Sequence, residues 1–319
     1  MTDISEKTEK ASHAVSQSAD ETFEGIEWIA TADMGIGNDR AFQQGTTFLT
    51  PVNSQDYKAA YAPDFGKIAF FRVFAYNQAV NFNTWDTRVG IMNADGSELK
   101  FLSDLGANHV PKWTQDGSNK IVFSRNYSTG GGKVFWTTPT GSPGQEELLS
   151  NVSDNGYEEN GSALKDGRIV VQRWDTANGH SLYAMTPVPD GKSTYQPLIY
   201  APQGSPEDVS GISFNKITVS PSGTRIAYMK MAGGTDYYTK SQIAYADWNA
   251  DTLTISNEVI AAHPSTGPTW YPCFTPKEQF LVYAQNGRVM AYHLATRETK
   301  QISANDHEYR YVNVAGVVK

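Results

Sequence analysis

Cysteine is nearly absent from this sequence. The single Cys273 among 319 residues excludes an internal disulfide framework and a zinc site built on cysteines. Charged residues are also scarce, at 19%, and 34 acidic residues outnumber 26 basic ones to give a net charge of −8. This balance argues against nucleic acid or an anionic membrane surface as the main partner. No apolar run approaches the roughly 18 residues that span a bilayer, so no membrane insertion is predicted.

Recognisable catalytic and metal-binding motifs are missing as well. The sequence contains no G-x-S-x-G, no H-E-x-x-H and no EF-hand loop. Its histidines are scattered, and His109, His180 and His307 could meet only through the fold. We therefore predict no cofactor and no metal, and whether the protein is an enzyme stays open at this stage.

The N-terminal segment 1–22 is polar and rich in small and charged residues. It has no apolar stretch of the kind found in a signal peptide, and no convincing apolar helix face. We predict a mobile tail over 1–22, followed by a single domain over 23–319.

Short runs of β-branched and aromatic residues, separated by turn residues, dominate the rest of the chain. No stretch keeps a 3.6-residue apolar period over three turns, so the pattern indicates an all-β protein. The clearest runs are KIAFFRV (67–73), KIVFSRN (120–126), RIVVQRW (168–174), RIAYMKM (225–231) and QFLVYAQ (279–285).

These runs belong to a repeat of about fifty residues. Four of them follow a turn glycine, at Gly66, Gly117, Gly167 and Gly223, and the fifth turn lacks the glycine but keeps the spacing. Each unit reads as four antiparallel strands. A sheet this small has two exposed faces and cannot bury both alone, whereas radial stacking of such sheets buries them.

The spacing therefore predicts a six-bladed β-propeller of four-stranded antiparallel blades. Five complete units cover about 55–305, and the two ends of the chain supply the sixth. In that blade we expect 308–318 as the inner part and 25–33 and 46–52 as outer strands. Pairing the first and last strands closes the ring and leaves no open sheet edge. An open pair of β-sandwich sheets is the alternative.

One unit resembles a known repeat. Residues 88–126, RVGIMNADGSELKFLSDLGANHVPKWTQDGSNKIVFSRN, are similar to the WD40-like PD40 repeat of TolB-type propellers. The shared pattern is a strand ending in an MNADG-like turn, a strand ending in Leu-Ser, a Pro-x-Trp segment with an Asp-Gly turn, and an Ile-x-Phe strand. The resemblance implies a propeller over most of 45–305. In such a propeller we expect Trp113, Tyr61 and Phe274 to pack between blades.

The resemblance is specific for the fold but leaves several functions possible. Propellers of this type serve as protein-binding domains, as polysaccharide lyases of the oligogalacturonate type, and as non-catalytic domains of prolyl-oligopeptidase-like enzymes. We call the strands of a blade a to d from the axis outward. The b–c hairpins and d–a linkers then lie at one face, and the long polar-aromatic segments of the chain fall there. We predict a site in the axial depression beneath this loop-rich face.

Candidate catalytic residues are His109, Arg310 and Tyr311. His109 would act as a general base, because the pKa of histidine lies near physiological pH, and Arg310 would clamp an anion. A hydrogen-bonded structural histidine and a ring-closing ion pair are the structural alternatives. Candidate ligand-binding residues lie at inner-strand starts and in b–c segments. They are Glu158, Arg173, His180, Lys216, Tyr237, Tyr238, Trp270, Tyr271 and Tyr309.

The sequence thus predicts a ligand- or protein-binding propeller that uses the loop-rich face of its central channel. The alternative is an enzyme in the channel: a carbohydrate lyase or hydrolase, or a cyclase or isomerase of a hydrophobic metabolite. We expect a small molecule, a carbohydrate or a protein segment as the partner, and a monomeric state. No signal peptide is visible, and we expect a soluble protein. The sequence does not predict its cellular compartment, although the resemblance implies a family that is often extracytoplasmic.

Overall fold

The computed structural model describes residues 21–34, 40–75, 86–127, 132–151, 157–175, 179–201, 212–232, 241–263 and 269–318. In these ranges the chain forms six sheets from 25 strands, with one short 3-10 helix at Phe23–Gly25. Every sheet is built on a meander of four antiparallel strands. The six-bladed all-β propeller predicted from the repeat is confirmed.

The strands follow the predicted units closely. Blade 1 joins β25 (Glu308–Val318) to β1 (Ile26–Asp33), β2 (Arg40–Gln44) and β3 (Thr47–Phe48). Blade 2 contains β4 (Asp56–Tyr61), β5 (Lys67–Ala75), β6 (Asp86–Asn93) and β7 (Lys100–Phe101). Blade 3 contains β8 (Ala107–Trp113), β9 (Ile121–Asn126), β10 (Gly132–Thr137) and β11 (Glu147–Leu148).

The remaining three blades continue the same order. Blade 4 contains β12 (Tyr157–Ala163), β13 (Ile169–Asp175), β14 (Gly179–Thr186) and β15 (Thr194–Pro197). Blade 5 contains β17 (Ile212–Val219), β18 (Arg225–Ala232), β19 (Ser241–Asn249) and β20 (Thr254–Ala262), with β16 (Ile199–Ala201) added in parallel at its outer edge. Blade 6 contains β21 (Thr269–Phe274), β22 (Phe280–Gln285), β23 (Arg288–His293) and β24 (Thr299–Gln301).

The ring closes through blade 1, as the sequence predicts. β25 from the C-terminal end pairs antiparallel with β1 from the N-terminal end, and Trp28 lies opposite Val314 in this ladder. Because β25 is the innermost strand of the blade, the end of the chain helps to line the axis. Closure also pairs the strand edges that an open array would expose.

Aromatic residues at equivalent positions hold neighbouring blades together. Trp113 of blade 3 is buried and donates its indole N–H to the Ala60 carbonyl of blade 2 at 2.9 Å. Tyr61 packs in a cluster with Ile29 of blade 1, and Phe274 packs in one with residues of blade 5. Burying such rings between blades is a main source of propeller stability.

The a–b turn of each of blades 2 to 5 contains a side chain that accepts a backbone hydrogen bond from within the turn. Asp116 accepts from Ser118 N at 3.0 Å, and Ser222 accepts from Thr224 N at 3.1 Å. The next position of both turns is a glycine with positive φ, a conformation that costs glycine little. These turns lie at the face opposite the loop-rich face.

Blade 6 lacks such a capping residue and takes one from the N-terminal segment instead. Lys277 occupies the capping position, and Glu278 occupies the glycine position with φ 57°. The buried Glu21 carboxylate accepts from Lys277 N at 2.9 Å and from Gln279 N at 3.3 Å, and it also accepts from the Thr275 hydroxyl. Glu21 thus contacts blade 6, although it lies within the segment 1–22 that the sequence predicts as a tail.

Candidate functional site

A cavity of about 370 Å³ lies on the propeller axis. Its wall consists of the second halves of the innermost strands and the first residues of the a–b turns. The cavity therefore occupies the part of the channel nearer the a–b turns. The sequence predicts a site at the opposite, loop-rich end, where most of the long segments lie outside the described residues.

Each inner strand contains a β-bulge at the same point. The pairing register shifts there, for example between His109 and Lys112 in β8. A bulge re-aims the side chains that follow it and bends the strand. In the described chain, the bulge residues with φ between 46° and 57° are Lys58, Val110, Lys216, Tyr271 and Tyr311.

These left-handed bulge residues form the first layer of the cavity wall. All five line the cavity, although none is a glycine. A left-handed conformation costs a non-glycine residue roughly 1–2 kcal/mol. Local strain of this kind clusters at functional sites, and its recurrence in five blades marks this level of the channel as a candidate.

A second layer lies two residues further along each strand. It consists of Ala60, Lys112, Ser162, Thr218, Cys273 and Asn313, all of which line the cavity. Lys112 is the one cation in this layer. Its ammonium donates to the Ile217 carbonyl, so the side chain crosses from blade 3 to blade 5. The buried Cys273 belongs to blade 6, on the opposite side of the axis from blade 3.

Lysines and tyrosines contact each other in the first layer. The Lys58 nitrogen lies 4.8 Å from the Tyr271 ring centroid and 5.3 Å from that of Tyr311. Lys216 lies 5.2 Å from the Tyr271 ring, and the two tyrosine rings meet edge to face at 4.7 Å. Such contacts stabilise the charged form of a lysine by roughly 0.5–2 kcal/mol.

The cavity is electropositive. Its described lining residues include four lysines, Lys58, Lys112, Lys165 and Lys216, and no aspartate or glutamate. Burial and, to a lesser degree, the charge of Lys216 together lower the pKa of Lys112 to about 7. A basic pocket in a chain of net charge −8 is a local feature and does not follow from overall composition.

Three of the predicted site residues meet at this cavity: Lys216, Tyr271 and Tyr311. Trp270 is adjacent, with its ring 6.2 Å from that of Tyr311. Arg310 precedes Tyr311 in β25 and lies opposite Thr31 of β1. The catalytic roles assigned to Arg310 and Tyr311 stay predictions.

His109 lies on β8 one residue before the bulge. It is buried, and its Nε2 is 2.9 Å from the Asn126 side-chain oxygen. General-base catalysis by His109 stays a prediction.

Tyr309 is buried in blade 1: its hydroxyl donates to Asp306 at 2.6 Å and its ring contacts that of Trp28 at a centroid distance of 5.1 Å. These contacts give Tyr309 a packing role in blade 1.

Glu158 and Arg173 form a buried polar cluster in blade 4. Glu158 accepts from the Ser150 hydroxyl, and its second oxygen is 3.5 Å from the Arg173 guanidinium. Burial raises the pKa of Glu158, partly offset by the Ser150 hydrogen bond. The Arg173 guanidinium also stacks over the Tyr195 ring at 4.3 Å. The cluster gives these two residues a structural role, and ligand contact by them stays a prediction.

Of the three remaining predicted ligand-binding residues, His180 belongs to β14, where its backbone pairs with Trp174. Tyr237 and Tyr238 lie outside the described residues, as does the side chain of His180. Among the residues that are described, no group of three or more His, Cys, Asp or Glu side chains could hold a metal ion. No helix in the described part of the chain is long and apolar enough to cross a membrane.

Lys58, Lys112 and Cys273 are not among the predicted site residues, although the repeat contains a signal for them. Aligning the inner strands on Tyr61, Trp113 and Phe274 places Lys58 and Tyr271 at one position and Lys112 and Cys273 two residues later. The bulge that turns both positions toward the axis has no sequence motif by which it could be predicted.

The fold is similar to that of known propellers. TolB from Acinetobacter baumannii superposes on 92% of this chain, with a TM-score of 0.65 and 14% sequence identity, over 68% of its own length. A TolB candidate from Agrobacterium tumefaciens matches over 92% of this chain and 99% of its own, with a TM-score of 0.55 and 13% identity. The chain is a six-bladed β-propeller whose fold is similar to that of these two structures.

The likeness of this propeller to known proteins lies in structure and not in sequence. Hydrazine synthase from Kuenenia stuttgartiensis also superposes on 92% of the chain, with a TM-score of 0.64 and 13% identity, but over only 46% of its own length. No protein-family model matches the sequence, and no curated protein matches it in sequence. At these identities the comparisons establish the fold of the chain alone.

Proposed function

We propose that this propeller is a binding module whose axial cavity holds an anionic small molecule. The observation that carries the proposal is the cavity wall, in which the described residues contribute four lysines and no carboxylate. A ligand bearing a carboxylate or phosphate would supply the negative charge that these lysines favour. In a site partly withdrawn from water such an attraction is several times stronger than on the surface.

The shape and lining of the cavity support a ligand with a compact cyclic or apolar body. About 370 Å³ lies within the usual range for small-molecule sites. Tyr271, Tyr311 and Trp113 supply aromatic surface, and prolines such as Pro111 and Pro272 supply rigid apolar contacts. The anionic group would lie among the lysines, and the body of the ligand would pack against the rings.

The loop-rich face stays part of the proposal as a route of entry or a second contact surface. Polar and aromatic candidates from that end, Glu158, Arg173, His180, Tyr237 and Tyr238, would then contact a larger partner. Catalysis in the channel by His109 and Arg310, on a carbohydrate or a hydrophobic metabolite, is the alternative function and stays a prediction.

A matched pair of probes tests the anion site. Pyridoxine 5′-phosphate and pyridoxine share a ring and differ in the phosphate, so calorimetric titration of both measures the contribution of the charge. We expect the phosphate to bind at least about tenfold more tightly, a difference of about 1.4 kcal/mol. Lys216→Met should remove most of the difference, whereas Lys192→Met, at a lysine whose side chain is 72% exposed, should leave it unchanged. Equal affinities for the two probes would refute the proposal.

Anion binding should also be coupled to proton uptake. An anion near Lys112 favours its charged form and raises its pKa from about 7, so at pH 8 the complex takes up protons from the buffer. Titrations of pyridoxine 5′-phosphate at pH 8 in HEPES and in Tris should therefore give different heats, because the two buffers differ in ionisation enthalpy. The difference should vanish in Lys112→Met. Identical heats in both buffers for the wild-type protein would contradict the coupling.

A further inference from the structure

Lys112 differs from the other lysines of the cavity in its position and contacts. It belongs to the second layer, whose other side chains carry no formal charge, and it extends past blade 4 to the Ile217 carbonyl of blade 5. Its amine nitrogen therefore lies inside the channel, with one N–H directed at a fixed acceptor. Lys58 and Lys216, by contrast, lie over tyrosine rings, which favour the ammonium form.

Several ionisable groups face Lys112, and among them the charge of Lys216 favours its neutral amine. From the surrounding inner strands and turns they are the cations Lys58, Lys165 and Lys216, the phenols Tyr61, Tyr271 and Tyr311, and the thiol Cys273. Burial raises the pKa of Cys273 to about 12, so the thiol is uncharged near neutral pH and gives Lys112 no anionic partner. A desolvated lysine beside a second cation is the setting in which an amine becomes a nucleophile near neutral pH.

We propose that Lys112 captures an anionic aldehyde or ketone as a reversible imine, with the carboxylate or phosphate of that compound held by the neighbouring lysines. The anion contact rests on the proposed function; the covalent step goes beyond it. The carbonyl compound must be small enough for a cavity of about 370 Å³. It must also place its carbonyl carbon within bonding reach of Nζ while its anionic group contacts Lys58 or Lys216.

The covalent step balances without an oxidant or a reductant. The Nζ lone pair attacks the carbonyl carbon, a C–N bond forms, and the C=O π electrons move to oxygen. Transfer of one proton from nitrogen to that oxygen gives a carbinolamine. Loss of the hydroxyl oxygen as water, with the second amine proton, leaves the C=N bond. The sum is amine plus carbonyl compound to imine plus water, and hydrolysis reverses it.

Pyridoxal 5′-phosphate is a suitable probe because it carries both an aldehyde and a phosphate. The protein is mixed with one equivalent at pH 7.5, the visible absorbance of the imine is followed, and borohydride then fixes the adduct for peptide mass mapping. At this pH Lys112 has roughly a thousandfold larger neutral fraction than an ordinary lysine. The lower nucleophilicity of a less basic amine offsets part of this gain, and so does the phosphate of the probe, which raises the pKa of Lys112 once it is bound. We expect Lys112 to be labelled at least about tenfold faster than surface lysines.

Two variants and a control separate the covalent step from binding. Lys112→Met and Lys112→Arg should both abolish the fast adduct, and Lys112→Arg should keep the phosphate affinity because it keeps a positive charge. Lys192→Met should label like the wild-type protein. The circular dichroism and melting temperature of each variant show that it is folded.

The outcomes distinguish this inference from the proposed function. Fast labelling at Lys112 that both substitutions abolish supports the inference. If pyridoxine 5′-phosphate binds but pyridoxal 5′-phosphate labels Lys112 no faster than surface lysines, the imine is refuted and the anion site stands. If neither compound binds the channel, both proposals fail.

Discussion

Replacing Lys112 with methionine is expected to raise the free energy of unfolding by about 2 kcal/mol at pH 7. Exchanging a poorly solvated charge for an apolar side chain of similar length is often stabilising by roughly 1–4 kcal/mol. The pKa of Lys112 falls from 10.5 in the unfolded chain to about 7 in the fold, so folding is opposed by the loss of its proton or by the burial of its charge. The expected gain is moderate because the side chain is only half-buried and the variant loses the hydrogen bond to Ile217.

The pH dependence identifies the cause of this gain. Between pH 7 and 10.5 the unfolded chain binds one more proton at this site than the folded protein, so Lys112 makes the wild-type protein more stable as pH rises. Below pH 7 the penalty is at its full value. The difference between Lys112→Met and wild type, measured by urea unfolding, should therefore be largest at and below pH 7 and should shrink toward pH 10. A variant that is less stable than wild type at every pH would contradict this reading.

Replacing Glu21 with alanine is expected to lower the free energy of unfolding by about 2 kcal/mol. The carboxylate accepts two backbone N–H groups and a hydroxyl in the a–b turn of blade 6, and losing a capping acceptor of this kind costs roughly 0.5–2 kcal/mol. Leaving the partners unsatisfied in a partly buried place adds to the cost. Glu24→Ala, at an exposed glutamate three residues away, is the matched control and should change stability little.

A second substitution tests why Glu21 matters. Ser222 caps the equivalent turn of blade 5 from within the turn, at the position that Lys277 occupies in blade 6. Lys277→Ser should therefore supply a local cap and recover part of the stability lost in Glu21→Ala. The measurement is thermal or urea unfolding of the single and double variants. Strictly additive effects of the two substitutions would show that Glu21 does not act through this turn.

The sequence predicts the closed ring of blades because each unit repeats the same turn and strand motifs. Turn glycines such as Gly117 and Gly223 recur with the Ile- and Phe-rich strands that follow them, and Trp113 has counterparts in other blades. These features depend on short-range geometry and on a repeat, so a single sequence displays them. The pairing of β25 with β1 follows because an open ring would leave strand edges unpaired.

The candidate site is less visible in the sequence because it depends on long-range geometry. Lys112 reaches Ile217, a partner 105 residues away, across a channel that exists only when all six blades are assembled. The left-handed bulge occurs at residues as different as Val110 and Tyr311, so its position cannot be predicted from residue type. Glu21 lies in a segment without β pattern, and its function depends on a turn more than 250 residues away.

The axial cavity is electropositive, and its surroundings bring Lys112 close to losing its proton near neutral pH. The most direct measurement is an NMR titration of the protein with ¹³C-labelled lysine side chains, with the Lys112 signal assigned by its absence in Lys112→Arg. We predict that Lys112 titrates with a pKa of about 7 in the ligand-free protein and at higher pH when pyridoxine 5′-phosphate is bound. A Lys112 that titrates near 10.5, with or without the phosphate, would contradict the account.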